Sequence, residues 1–307
     1  MRQQEKIRDW GIFVVFQGIM WHNVLCVLQF TKLKVSQVLL RRKKRDMFDY
    51  KGKVVAITGA SSGLGKQMAE GFAQCGANLV LMARRVERLE ESAAEWSAKY
   101  GVEVLPIKCD VTSTESIQDA VAKIEKKFGH CEVIINCAGG EKGTGTPLLD
   151  YKKEDWEFTL KLDLTSIFEC TQAFANLMKR AIEAGRQTYG RVINIASIYG
   201  LVGNTAIPTI AYHSTKGAVV NFSRGAAAEL ATQGITVNTI CPGYFYTELT
   251  QETLDSEFFQ TFANQSVPMK RYGRPGELNS AAIFLGAEES SYVTGQAIAV
   301  DGGYTCV

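Results

Sequence analysis

Tyr212 and Lys216 stand four residues apart. On a helix that spacing sets both side chains on one face, a turn from each other. An ammonium so close to a phenol favours the phenolate and draws its pKa down from about 10. A tenfold gain in acidity takes about 1.4 kcal/mol, so a phenol that titrates near neutrality needs roughly 4 kcal/mol of local electrostatics. A tyrosine poised in this way is a general acid/base for a hydroxyl proton. The spacing alone is common in helices. It gains weight from what precedes it, the segment Thr58-Gly59-Ala60-Ser61-Ser62-Gly63-Leu64-Gly65.

That segment follows the apolar, β-branched run Lys53 to Ile57, which reads as a buried parallel strand. Met68, Ala69, Phe72 and Ala73 then repeat at helical spacing. Strand, glycine turn and helix start form a dinucleotide site, where backbone can approach a pyrophosphate and the helix N-terminus offers unpaired N–H groups. Gly59, Ser61, Ser62, Gly63, Leu64 and Gly65 are therefore expected to hold a cofactor. The plainer alternative is a tight turn that needs positive φ. The glycines are spaced Gly-x-x-x-Gly-x-Gly. The next strand, Asn78 to Ala83, ends at Arg84 and Arg85, where an NAD site carries an acid and a 2′-phosphate needs a cation. With no acid there, and Ser61 near as a donor, NADP(H) is expected over NAD(H). Arg84 is the expected phosphate ligand and Arg85 a second cation or a solvated charge.

Strands alternate with helical stretches from Met47 onward, over about 260 residues, enough for one large core. The expected fold is α/β: a single-domain, Rossmann-type, doubly wound parallel sheet in three α/β/α layers, spanning residues 47–307. Net charge is +2 with both signs interspersed, which gives no case for nucleic acid. The eight cysteines have no Cys-x-x-Cys spacing, and Cys109, Cys137 and Cys241 sit in or beside apolar runs. They read as reduced residues of a cytoplasmic protein. His22, His130 and His213 make no ligand pattern, so no metal is expected.

With these motifs in place, residues 50 to 307 resemble the short-chain dehydrogenase/reductase family. Asp110-Val111 is similar to its adenine-contacting acid, and Asn136-Cys137-Ala138-Gly139 to its Asn-Asn-Ala-Gly signature. Ser197 follows the strand Arg191 to Ile195. Pro242-Gly243, with Phe245 and Thr247, resembles the turn that holds the nicotinamide. Gly295-Gln296 and Asp301-Gly302-Gly303 complete the order. The resemblance implies hydride transfer between NADP(H) and a small-molecule carbonyl or secondary alcohol. It implies Tyr212 as acid/base, Ser197 as hydrogen-bond partner of the substrate oxygen, and Lys216 as the group that lowers the Tyr212 pKa and binds the nicotinamide ribose. Homotetramers or homodimers, built on two long helices (here Leu160 to Lys179) and the C-terminal tail, are also implied. The chain is most similar to bacterial 3-oxoacyl-carrier-protein reductases and gluconate-type dehydrogenases.

One position departs from the pattern. Where the family carries an Asn that supports a proton-relay water, this chain has Asp163, in a helix read over Trp156 to Thr165. A carboxylate there can pair with Lys216 and change the pH at which Lys216 and Tyr212 operate. Two extra residues are expected in the Gly203 to Thr209 loop. A family member that binds nucleotide without catalysis is the alternative of another class. Among substrates, 3-oxoacyl thioesters, keto-sugar acids or polyols, and hydroxysteroids stay open. Gln233 in place of a basic residue counts against an acidic carrier protein. Phe258, Phe259 and Phe262 form either an apolar pocket or the buried face of a lid helix.

Residues 1–46 stand apart. Trp10 to Thr31 contain no Asp, Glu, Lys or Arg, and Arg41 to Arg45 are all basic. Gln17, His22, Asn23 and Gln29 break the apolar run, so it is a poor membrane span. The expectation is a misassigned start, with translation from Met47. A weak membrane anchor is the other reading.

Overall fold

The computed structural model describes residues 48–203, 207–248 and 250–307. The expectations for residues 1–46 lie outside the described residues, as does the part of the proposed loop insertion at 204–206.

Strand β1 (Val54–Thr58) is buried along its whole length. It pairs in parallel with β2 (Asn78–Ala83) on one side and with β4 (Val133–Asn136) on the other. With β3 (Val104–Lys108), β5 (Gly190–Ile195), β6 (Ile235–Pro242) and β7 (Ala297–Val300) it makes a seven-stranded sheet of order β3-β2-β1-β4-β5-β6-β7. All six pairings are parallel. Strands covered on both faces must be apolar at nearly every position. The sequence of β1, Val-Val-Ala-Ile-Thr, fits that demand.

Successive side chains leave opposite faces of a strand, and the core divides accordingly. Val55 and Ile57, with Leu79 and Leu81, pack on one face against Met68 and Phe72 of α1 (Gly63–Gln74), Leu89 and Trp96 of α2 (Val86–Tyr100) and, farther along the sheet, Leu285 of α9 (Asn279–Gly286). Val54 and Ala56, with Val80 and Met82, face the other way. They meet Ile117 and Ile124 of α3 (Thr114–Phe128) and Phe174 and Met178 of α5 (Ser166–Glu183). These are the three layers and the single doubly wound sheet read from the sequence.

Chain order reverses between β1 and β4. The carboxyl ends of an open parallel sheet leave a crevice at such a point, and the site lies there. Two departures from the sequence reading matter to it. The helix expected around Leu160 begins earlier, as α4 (Lys153–Leu160). It then widens into a π-helical segment, Lys161–Thr165, before continuing as α5. Such single-turn bulges carry no hydrophobic signature, and they concentrate at functional sites. The long helix α6 (Ile210–Leu230) carries Tyr212 and Lys216. Beyond β6 come the short α7 (Gln251–Leu254) and α8 (Glu257–Ser266).

Candidate active site

At the carboxyl edge of the sheet a cleft of about 860 Å³ runs from the β1–α1 turn to the start of α6. Gly59, Ser61, Ser62 and the first turn of α1 (Gly63, Leu64, Gly65) form one end. The turn closes tightly, for a Cβ on Gly65 would lie 2.5 Å from the Gly59 carbonyl oxygen. Ser62 precedes α1 in extended backbone and makes no side-chain capping bond, and no acid occupies the helix's first turn. The helix end that faces the cleft thus keeps its positive pole uncompensated by side chains.

Arg84 and Arg85 line the same end. The guanidinium tied to the loop is Arg85, not the Arg84 favoured by the sequence: its Nη2 donates to Ser61 Oγ and Ser62 Oγ, each at 3.3 Å. Asp110 and Val111 follow along the wall. The Asp110 carboxylate accepts from the Thr112 backbone N–H at 3.0 Å and its hydroxyl at 2.8 Å. Those bonds hold it below the usual carboxylate range.

Further along, Ala138, Gly139, Pro242, Gly243 and Thr247 complete the lining around the catalytic candidates. Two expected cofactor residues stand elsewhere. The Asn136 side chain is buried in the sheet, donating to Thr171 Oγ1 at 3.2 Å and Asn194 Oδ1 at 2.8 Å. It braces β4 against β5 and α5. Phe245 belongs to the core, its ring packed so closely on Gly273 that a Cβ there would lie 2.4 Å away. Its contribution to the site is a backbone carbonyl that accepts from Thr250 Oγ1 at 2.7 Å, shaping the turn that holds Thr247.

Ser197, Tyr212 and Lys216 converge on the cleft. Ser197 leaves β5 as the N-cap of a short 3-10 turn, and its Oγ accepts the Tyr199 N–H at 3.2 Å. That turn lies hard against α6, because a Cβ on Gly200 would meet the Lys216 carbonyl oxygen at 2.6 Å. Lys216, only 4% exposed, lies with Nζ 5.3 Å from the centre of the Tyr212 ring. The same Nζ donates to the Ile195 carbonyl at 3.2 Å and stands 3.1 Å from Asp163 Oδ2.

Asp163 is fully buried on the π segment, just behind the cleft. Its second oxygen, Oδ1, accepts the Gly140 N–H at 2.7 Å. The tetrad therefore contains a buried ion pair. Burial works against the Lys216 charge, but Asp163, with Tyr212, outweighs it and holds the ammonium above its ordinary value. The phenol moves opposite to the sequence expectation. Burial pushes Tyr212 up, Lys216 and the Ser197 hydroxyl pull it down, and Asp163 and Glu141 push it up again, leaving it above the usual tyrosine value. A lysine already matched to a carboxylate has less charge to spend on its neighbour.

The loop Gly140 to Leu149 and the stretch Ile198 to Pro208, expected from the sequence to face substrate, contain Glu141 and Tyr199, whereas His213 had no such signal. Glu141 lines the cleft beside the tetrad. Tyr199 stacks on His213 with ring centres 4.6 Å apart, and its hydroxyl contacts that of Tyr244. The lid aromatics do not wall the cleft. Tyr244, Phe259, Phe262, Tyr272 and Tyr304 pack on one another. Phe259 is buried, whereas Phe258 is 59% exposed. Of the segment after Gly243, Thr247 and Thr250 reach the cleft.

Among known proteins, the profile of a family described as "Enoyl-(Acyl carrier protein) reductase" matches residues 59–305. Gluconate 5-dehydrogenase of Gluconobacter oxydans is 36% identical over 260 residues, 85% of this chain and 97% of that protein. A probable NADP-dependent mannitol dehydrogenase of Yarrowia lipolytica is 36% identical over 278 residues, 89% and 93% of the two chains. The crystal structure of a gluconate 5-dehydrogenase from Burkholderia cenocepacia in complex with NADP and tartrate superposes with a TM-score of 0.77. It is 32% identical, and the match covers 85% of this chain and 98% of that one.

Proposed function

The chain belongs to the short-chain dehydrogenase/reductase family of oxidoreductases, and from that premise we propose that it is an NADP(H)-dependent reductase of a sugar-type carbonyl, reversible to the secondary alcohol. The residues fit the cofactor: a helix N-terminus for the pyrophosphate, Asp110 for the adenine end and Arg85, oriented by two serine hydroxyls, for a 2′-phosphate. When bound, the nicotinamide supplies or takes the hydride.

The protein's part is positioning and proton transfer. Ser197 Oγ accepts from the Tyr199 N–H, and its hydroxyl lies within bonding reach of Tyr212, so both O–H groups can converge on one substrate oxygen. Tyr212 gives that oxygen its proton, and a phenol held above its ordinary value arrives protonated for the task. Lys216 stabilises the phenolate that remains, while Asp163 keeps Lys216 charged and in place.

The observation that carries the reading is the convergence of Ser197, Tyr212 and Lys216 in the cleft that also holds the glycine turn. A sugar-type substrate is favoured over a steroid or long acyl chain because the lid aromatics are occupied with one another. Relatives named for gluconate and mannitol point the same way. The test is oxidation of NADPH and NADH against keto-sugars, keto-sugar acids, acetoacetyl thioesters and ketosteroids. Turnover confined to the sugar class, with NADPH, is expected. NADPH binding without turnover on any carbonyl would establish instead a nucleotide-binding protein without catalysis.

Self-association is part of the proposal. Phe168 on α5 and Phe222 on α6 pair edge to face at 6.4 Å, with Phe168 46% exposed. Such a patch on two long helices suits a second copy in a dimer or tetramer.

A further inference from the structure

Glu141 neither gives nor takes the transferred proton, and its charge reaches the chemistry only by helping to raise the Tyr212 phenol, yet it stands in the same cleft as Ser197, Tyr212 and Lys216. Its backbone is pinned by its neighbour, because the Gly140 N–H is bonded to Asp163. Its Oε2 is shut off from solvent and has no hydrogen-bond partner among the described residues. An ionised carboxylate is an acceptor only, and a buried one is costly unless something donates to it. Burial pushes its carboxyl up, against the Thr144 hydroxyl; Asp163 adds to the rise, and His213 and Lys216 oppose it.

The charges around it narrow what that donor is. Among the described residues, the cations that line the cleft are Arg84, Arg85 and Lys216. The two arginines flank the glycine turn at the far end, and Lys216 is matched to Asp163. Around the reacting atoms, then, the charges of Lys216 and Asp163 offset each other, and an anionic substrate meets the Glu141 carboxylate. A hydroxyl-bearing neutral substrate meets an acceptor that needs a donor.

We propose that Glu141 is a specificity residue that accepts a hydrogen bond from a hydroxyl of a neutral polyol or ketose and turns away substrates carrying a carboxylate or phosphate. The inference rests on the sugar-type reading above and narrows it to the uncharged members of that class. Like-charge juxtaposition is a common means of rejecting wrong partners.

Calorimetric titration of the NADP⁺-saturated full chain with D-mannitol and with D-gluconate tests this, alongside turnover of each. In the wild type, gluconate is expected to bind at least roughly tenfold more weakly than mannitol. Glu141→Gln keeps the side chain's shape and removes its charge, and it should narrow the gap to about threefold or less by tightening gluconate. A gain in affinity cannot come from misfolding. Equal binding of the two in the wild type, a gap that survives Glu141→Gln, or binding of neither would overturn the proposal. The two readings separate cleanly. Discrimination in binding without turnover of mannitol upholds Glu141 and sinks the catalytic proposal, whereas turnover without discrimination does the reverse.

Discussion

At the scale of single residues, the Lys216–Asp163 pair governs how the site titrates. Asp163 favours the charged ammonium and the neutral phenol alike. Asp163→Asn removes one negative charge from beside both, so both groups should lose protons at lower pH. In alcohol oxidation, where the phenolate is the base, the acid limb of kcat/KM should move down by about one pH unit. In carbonyl reduction the basic limb should move down with it. A pH–rate profile identical to the wild type in both directions would remove Asp163 from the proton economy of the site. How much of this was legible divides by residue. Ser197, Tyr212 and Lys216 announce themselves by type and order, and Asp163 by its departure from the family pattern. The outcome at Tyr212 was hidden, because the direction in which it moves depends on burial and on a second carboxylate, Glu141, placed by a loop with no periodic signature.

At the scale of elements, the junction between β2 and α2 is the telling one. Arg85 is the residue from which α2 starts, and its side chain reaches back to both serines of the β1–α1 turn. It therefore ties two successive crossovers together at the place proposed for a 2′-phosphate. Arg85→Ala should raise KM for NADPH by roughly tenfold or more while changing KM for NADH by less than about twofold. Steady-state kinetics with both cofactors will decide it. Equal losses with the two would assign Arg85 to loop structure and not to cofactor choice. The strands and glycine turn were legible because apolar runs and glycines are local signals. Which of the two arginines bonds the serines was not, since consecutive residues leaving a strand point to opposite sides and sequence does not say which side holds the loop. Phe245 misled for a related reason: an aromatic beside a ligand turn reads the same whether its ring meets cofactor or, as here, core.

For the whole molecule, the α/β class, the single sheet and its doubly wound layers follow from alternation of strand and helix, and the chain bears them out. Assembly is less visible in sequence, because an exposed aromatic and a buried one share the same helical spacing. Phe168→Glu places a charge in the exposed α5–α6 patch and should yield a smaller species by sedimentation velocity at micromolar protein, with the helical signal intact. An unchanged sedimentation coefficient would move the interface elsewhere. One helix then serves two masters, since α5 offers Phe168 outward and continues from the segment that carries Asp163 inward. An uninterrupted α-helix would lock those two directions in a fixed angular relation, about 100° for every residue between them. The wide turn at Lys161–Thr165 takes in one residue more than a regular turn. It acts as a phase shifter, through which the bearing of the catalytic face and the bearing of the outer face can be set independently along one continuous rod.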